Sequence, residues 1–161
     1  MSPRVDVSLT DDEIWRFLAP SRTAVLSTLG REGFPHTVAM WFVPVQDKSE
    51  VRMWAYTKSQ KIRNLQRDPR CSVMVEEGDT YDTLKGVLVQ GRAQLVEDLA
   101  EIEEIGRLLY DRYTFPVTGV EVDAGPHIEI RRQASKRMGI VIPMENVASW
   151  DHSRLSAGAR S

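Results

Sequence analysis

From residue 23 to residue 96 the chain is a succession of short runs in which apolar and polar residues alternate, each stopped by a polar or glycine-bearing turn. Residues 23–29 read as a strand, Gly30 to Gly33 as a hairpin turn, and residues 35–45 as a long, aromatic returning strand. A second turn at residues 47–50 leads to strands over 51–57 and 71–75. After a turn at 81–84 comes a long strand over 85–96, with Gly86 and Gly91 marking bends. Further strands are expected over 127–132 and 137–142. Strands that follow one another without a strand-helix alternation exclude a doubly wound parallel sheet. They predict a mainly β fold: an antiparallel barrel of six to eight strands with flanking helices.

The helices are few. Thr10 and Glu13 have capping-box spacing ahead of Ile14, Phe17 and Leu18, which predicts a helix over 11–18 that Pro20 ends. A short second helix begins at Ser59, whose hydroxyl is expected to cap a first-turn amide, and must stop by Pro69. The third, over 97–113, carries an apolar stripe of Leu99, Ile102, Ile105, Leu108 and Leu109, with acidic residues at its start and Arg107 and Arg112 near its end. Residues 114–126 form a long connection, a lid or a surface crossover. One domain over 9–151 is expected, between an N-terminal tail (1–8) and a C-terminal tail (152–161).

What is absent narrows the chemistry. A net charge of -2 opposes bulk attraction to nucleic acid or acidic membrane. One cysteine, Cys71, excludes an internal disulfide and fits a reducing compartment. No apolar run approaches the ~20 residues of a membrane span, and the first residues lack an apolar signal core, so the expected location is cytoplasmic. His36, His127 and His152 stand apart from ligand partners, so no metal site is expected. Neither a nucleophile elbow nor a Walker or dinucleotide loop occurs. Cys71 is expected to pack as a small apolar side chain.

One stretch does carry a chemical signal. After the strand ending near Tyr56 come Thr57, Lys58, Ser59, Gln60 and Lys61, at the start of the short helix. Cations beside the positive pole of a helix are unfavourable unless an anion binds there. Orphan amides, a hydroxyl and two ammonium groups on one turn make a phosphate cradle. Two other readings of Lys58, Lys61, Arg63, Arg67 and Arg70 are a solvated helix face and a nucleic-acid contact, the latter requiring affinity that falls steeply with salt.

The order Tyr56-Thr57, then Ser59 and Lys61, then Asn64-Leu65 and Asp68-Pro69-Arg70 before a strand resembles the phosphate-binding segment of the pyridoxamine 5'-phosphate oxidase-like split-barrel superfamily, in particular its small F-420- or FMN-dependent oxidoreductases. The resemblance covers roughly residues 9–151. It implies an oxidoreductase passing a hydride between bound F-420 or FMN and a small conjugated substrate, with the cofactor ring carrying the chemistry and no catalytic side chain required. Cofactor-binding residues would be Thr37, Val38, Ala39, Met40 and Trp41 along the ring, Tyr56, Thr57, Lys58, Ser59, Gln60, Lys61 and Asn64 around the phosphate, and Gln90. Gln60 stands where FMN-binding relatives often carry arginine, which favours F-420. The ending Trp150-Asp151-His152-Ser153-Arg154 lacks the Arg-rich motif of true pyridoxamine phosphate oxidases. The resemblance further implies a homodimer with cofactor sites at the subunit interface, and Trp41, Trp54 and Trp150 are expected to be exposed. A non-catalytic flavin or F-420 carrier is the alternative.

Overall fold

Thr10 starts the first helix as its spacing predicts. Its hydroxyl accepts the Glu13 amide at 3.4 Å, and the Glu13 carboxylate accepts the Thr10 amide at 2.8 Å. Helix α1 (Asp11–Leu18) then buries Ile14, Phe17 and Leu18 against the barrel. The computed structural model describes residues 6–113 and 125–158.

Nine strands among the described residues, one more than the upper expectation, make two antiparallel sheets, the expected mainly β split barrel. The larger sheet contains β1 (Ala24–Leu29) and β2 (Pro35–Met40). In the smaller lie β3 (Val43–Val45) and β4 (Glu50–Tyr56). Helix α2 (Gln60–Arg67) leads to β5 (Arg70–Glu77), β6 (Lys85–Arg92) and β7 (Gln94–Val96). Helices α3 (Leu99–Tyr113) and α4 (Gly125–Ala134) precede β8 (Arg137–Pro143), β9 (Asn146–Asp151) and the short α5 (Ser153–Gly158). The strand orders are β2-β1-β5-β6-β9 and β3-β4-β8-β7. Gly33, at φ 86°, supplies the left-handed residue that the β1–β2 hairpin turn needs.

Two long strands of the sequence reading each break and change sheet. Between β2 and β3, Phe42 is fully buried, and its backbone groups bond to the Tyr113 hydroxyl instead of a neighbouring strand. That hydroxyl accepts the Phe42 amide at 3.0 Å and lies 3.0 Å from its carbonyl. At the second break, the buried Ala93 donates its amide to the Pro69 carbonyl at 2.8 Å, which separates β6 from β7. Neither partner is near in sequence, so local alternation could not reveal the crossings.

The expected strand over 127–132 is instead part of α4. Ile128 and Ile130 imitate a two-residue period, but the helix spaces Ile130 and Ala134 four apart and buries both. Glu129 pairs with Arg132 at 2.8 Å and accepts the Gln133 amide at 2.8 Å, contacts at i+3 and i+4 that a strand cannot make. Pro126, assigned to the connection, lies in this helix, while 114–124 fall outside the described residues. Helix α3 begins two residues later than expected, because the Asp98 side chain accepts the Glu101 amide at 3.0 Å as an N-cap. Leu99, placed in the buried stripe, is 39% exposed. Among the tryptophans expected at the surface, only Trp41 is exposed; Trp54 and Trp150 are half-buried.

The core lies between the sheets, with Leu26, Phe42, Met53, Ile62, Ile140 and Ile142 fully enclosed. Helix α2 closes one end of it, and α3 packs on the smaller sheet through Ile105 and Leu109. No helix among the described residues is long and apolar enough to cross a membrane.

Candidate functional site

Ser59 occupies the N-cap position of α2, as its sequence position predicts, yet its side chain makes no cap hydrogen bond. The Ser59 Oγ atom is buried and has no partner among the described residues. An unmet buried hydroxyl costs about 1–3 kcal/mol. The first turn of α2 carries no acidic residue, so its orphan amides face no compensating charge. Lys61 sits in that turn, half-buried, and burial pushes its ammonium below the ordinary lysine range. Lys85 is the one lysine with a carboxylate within 4.0 Å among the described residues, so neither Lys58 nor Lys61 is neutralised. Lys58 is exposed.

The sign of the Lys61 shift is informative. A lysine depressed below its unfolded value disfavours the charged folded state, and the folded protein gains stability as pH rises through the window below the ordinary value. A bound anion reverses this by stabilising the ammonium. Amides, hydroxyl and ammonium are donors in want of an acceptor, and they fit a phosphate.

A buried hydrogen-bond chain ties this turn to β2. The Gln60 Nε2 atom donates to Asn64 Oδ1 at 2.8 Å, and Asn64 Nδ2 donates to Thr28 Oγ1 at 3.0 Å. Thr28 in turn donates to the His36 carbonyl at 3.4 Å. Asn64 is wholly buried and Thr28 is 2% exposed, so these contacts fix the helix against the hairpin. Since β2 is an edge strand, half of its backbone groups point away from β1 and pair with no strand among the described residues. Val38 and Met40 are half-buried on the face shared with Thr28, whereas Thr37 and Ala39 are exposed on the other. Thr37 hydrogen-bonds Ser27 Oγ at 2.9 Å. Trp41 is 61% exposed and stacks on Tyr113 with centroids 4.6 Å apart and planes 7° from parallel.

On the other side of the turn, Tyr56 pairs across β4 and β8 with Arg137, whose guanidinium lies 4.2 Å from the Tyr56 ring centroid and 4.6 Å from that of Trp54. The Thr57 amide bonds the Lys136 carbonyl at 3.2 Å, holding the end of β4 against the turn before β8.

The family model described as pyridoxamine 5'-phosphate oxidase matches residues 10–151. The chain belongs to that family. Its similarity to the conserved hypothetical protein Rv2991 of Mycobacterium tuberculosis is 36% identity with a TM-score of 0.84, over 97% of this chain and 93% of that one. An F-420 reductase superposes with a TM-score of 0.63 at 22% identity, over 86% and 98% of the two chains. The heme storage protein HutZ of Vibrio cholerae superposes at 0.63 with 20% identity, over 85% and 92%. At these lower identities the likeness is one of fold. Comparison with curated proteins gives no match.

Within this pyridoxamine 5'-phosphate oxidase-family chain, the residues picked from sequence divide into three groups. Tyr56 through Lys61 surround the start of α2, and Asn64 supports that turn from inside, its amide committed to Gln60 and Thr28. Thr37 to Trp41 lie along the open edge strand and its exit. Gln90 stands apart: it aligns with Ser72, Ser27 and Thr37 across the outer face of the larger sheet. Three strand spacings of ~4.8 Å put it about 14 Å from Thr37. It lines a cleft with Thr28, Leu29, Pro35 and Arg70, none of them in the turn.

Two residues escaped the sequence reading. Arg137 was placed in a strand without a partner, and the register that sets it over Tyr56 joins segments far apart in the chain. His36 ends the hydrogen-bond chain through its carbonyl, and its Nδ1 atom is buried without a partner among the described residues. Cys71 behaves as expected of a packed thiol, with burial pushing it up to about 11 and its Sγ directed 3.7 Å from the Gly91 carbonyl. At neutral pH such a thiol is protonated and a poor nucleophile. No cluster of three metal-ligating side chains occurs among the described residues.

Proposed function

We propose that this protein binds F-420 or FMN and transfers a hydride between it and a small conjugated organic molecule. The observation that carries the reading is the start of α2, where, among the described residues, Ser59 Oγ has no partner, the amides lack a side-chain cap and Lys61 lacks a carboxylate. Lys61, Ser59, Thr57 and Lys58 hold the phosphate. The open edge of β2, from Thr37 to Trp41, orients the ring through backbone groups, and Val38 and Met40 exclude water from one side of it. When bound, the flavin or deazaflavin ring supplies the hydride-accepting and hydride-donating centre. Gln60 favours F-420, because it adds no third cation to Lys58 and Lys61 at the phosphate.

A homodimer would complete the site. The outer face of the larger sheet is uncharged through two adjacent rows, one of Thr37, Ser27, Ser72 and Gln90, the other of Ala39, Val25, Met74 and Leu88. Depletion of charge at the centre of a patch is typical of interfaces. Gln90, remote from the turn of its own protomer, would serve the partner's cofactor. Oxidation of pyridoxamine phosphate itself is disfavoured, because Arg154 is engaged by Glu13 at 2.6 Å and His152 lies 2.8 Å from the Tyr81 carbonyl. The single Cys71 and a net charge of -2 fit a cytoplasmic setting.

Mixing the protein with reduced F-420 or reduced FMN and a panel of quinones, enones and tetrapyrroles tests the activity. Oxidation of the cofactor above the protein-free rate is expected with at least one acceptor. Saturable binding with no such oxidation would assign a carrier instead.

A further inference from the structure

Next to the candidate phosphate turn lies a cavity of about 240 Å³ that shares only Trp41 with the residues assigned to the cofactor. Its walls come from Trp41, Trp54, Leu109, Tyr110, Ile130 and Arg137. Trp54 is held as a flat wall by Gly106, where any Cβ would come within 2.5 Å of the Trp54 ring. The space is mostly apolar and aromatic. A cavity of about 150 Å³ suffices for one benzene ring, so this one has room for two fused rings.

The polar group at this cavity is unusual in what it lacks. Arg137 has no carboxylate partner among the described residues. Its Nε atom is buried and unpartnered, and its Nη2 atom has only the neutral Gln133 Oε1 at 3.2 Å. Nε and Nη2 form the edge of a guanidinium that grips a carboxylate with two parallel hydrogen bonds. Stacking against Trp54 and Tyr56 fixes the plane of that edge beforehand. The nearby Glu129 does not fill the vacancy, because Arg132 holds it at 2.8 Å and keeps its carboxyl down at about 2. Arg132 also offsets the Glu129 charge facing the cavity.

We propose that this cavity binds a planar, one- or two-ring conjugated carboxylate, the rings between Trp41 and Trp54 and the carboxylate on the Nε–Nη2 edge of Arg137. Such a ligand meets the unmet donor and fills the aromatic space at once. As a substrate assignment this rests on the proposed hydride transfer; as a binding site it does not.

Calorimetric titration of the full chain with 2-naphthoate and with the neutral, near-isosteric 2-naphthamide tests the inference. The acid is expected to bind at least tenfold more tightly than the amide. Arg137→Gln is expected to bring the two within about twofold of each other, and Arg137→Lys, which keeps charge without the fork, to fall between. Equal binding of acid and amide to the unaltered protein, or no binding of the acid at millimolar concentration, overturns the proposal, as does a preference that survives Arg137→Gln. Should Arg137→Gln fail to fold, the comparison of the two ligands on the unaltered protein decides. A repeat with saturating FMN or F-420 separates the two sites: competitive displacement would assign the cavity to the cofactor and overturn a distinct ligand site. Naphthoate binding by a protein that takes up neither cofactor would leave this site standing and remove the proposed activity.

Discussion

Replacing Lys61 with alanine is expected to weaken cofactor binding by about 1.5–3 kcal/mol, the range for a charge-assisted hydrogen bond, or roughly 10- to 150-fold in dissociation constant. The effect should exceed that of Lys58→Ala, because Lys58 is exposed and screened whereas Lys61 is half-buried. Stability should move the other way. Without an anion, Lys61 is a desolvated cation at the positive end of α2, so its removal should leave the free protein as stable or a few tenths of a kcal/mol more stable. A variant that loses affinity while keeping its fold is the signature of a binding residue. Fluorescence-quenching titrations with each cofactor read the first quantity and urea unfolding the second; unchanged affinity would refute the role given to Lys61.

The second large effect concerns the support beneath the turn. Asn64→Leu should cost about 1–3 kcal/mol of folding stability, because it strands the buried Thr28 hydroxyl without its donor. Thr28→Val should cost a similar amount by stranding the Asn64 amide. The double variant leaves neither group orphaned and should be more stable than the sum of the two losses by about 0.5–3 kcal/mol. Additive losses in urea unfolding would mean that the bond does not couple helix to hairpin. The same variants should loosen cofactor binding, since Gln60 is anchored through Asn64 at 2.8 Å.

Local chemistry was legible where the deciding contacts are close in sequence. The capping box of Thr10 and Glu13, the Gly33 turn and the stop of α2 before Pro69 follow from residues within a few positions of one another. The grouping proposed to hold a phosphate was legible for the same reason: hydroxyl, ammonium groups and helix start lie within five residues. What was not legible depended on distant partners. Tyr113 intercepts the backbone of Phe42 from 71 residues away and turns one expected strand into two. The true period of α4 emerges only when α3 is present to receive Ile130, with Glu103 and Arg131 3.5 Å apart between them. Ser59 was legible as a cap position but not as an unsatisfied one, since only the folded surroundings show that its hydroxyl has no partner among the described residues. That last difference strengthens the site, because a hydroxyl satisfied by its own helix would have little to offer a ligand.

The grip of the α2 start on a phosphate is tested most directly by removing the phosphate from the ligand while leaving the ring. Parallel titrations would compare FMN with riboflavin, and F-420 with its phosphate-free deazaflavin chromophore. The account predicts saturable binding of at least one phosphorylated cofactor, at least tenfold tighter than its phosphate-free counterpart, with the difference reduced in Lys61→Ala. Equal affinity for the forms with and without phosphate, or no saturable binding of either cofactor, would contradict it.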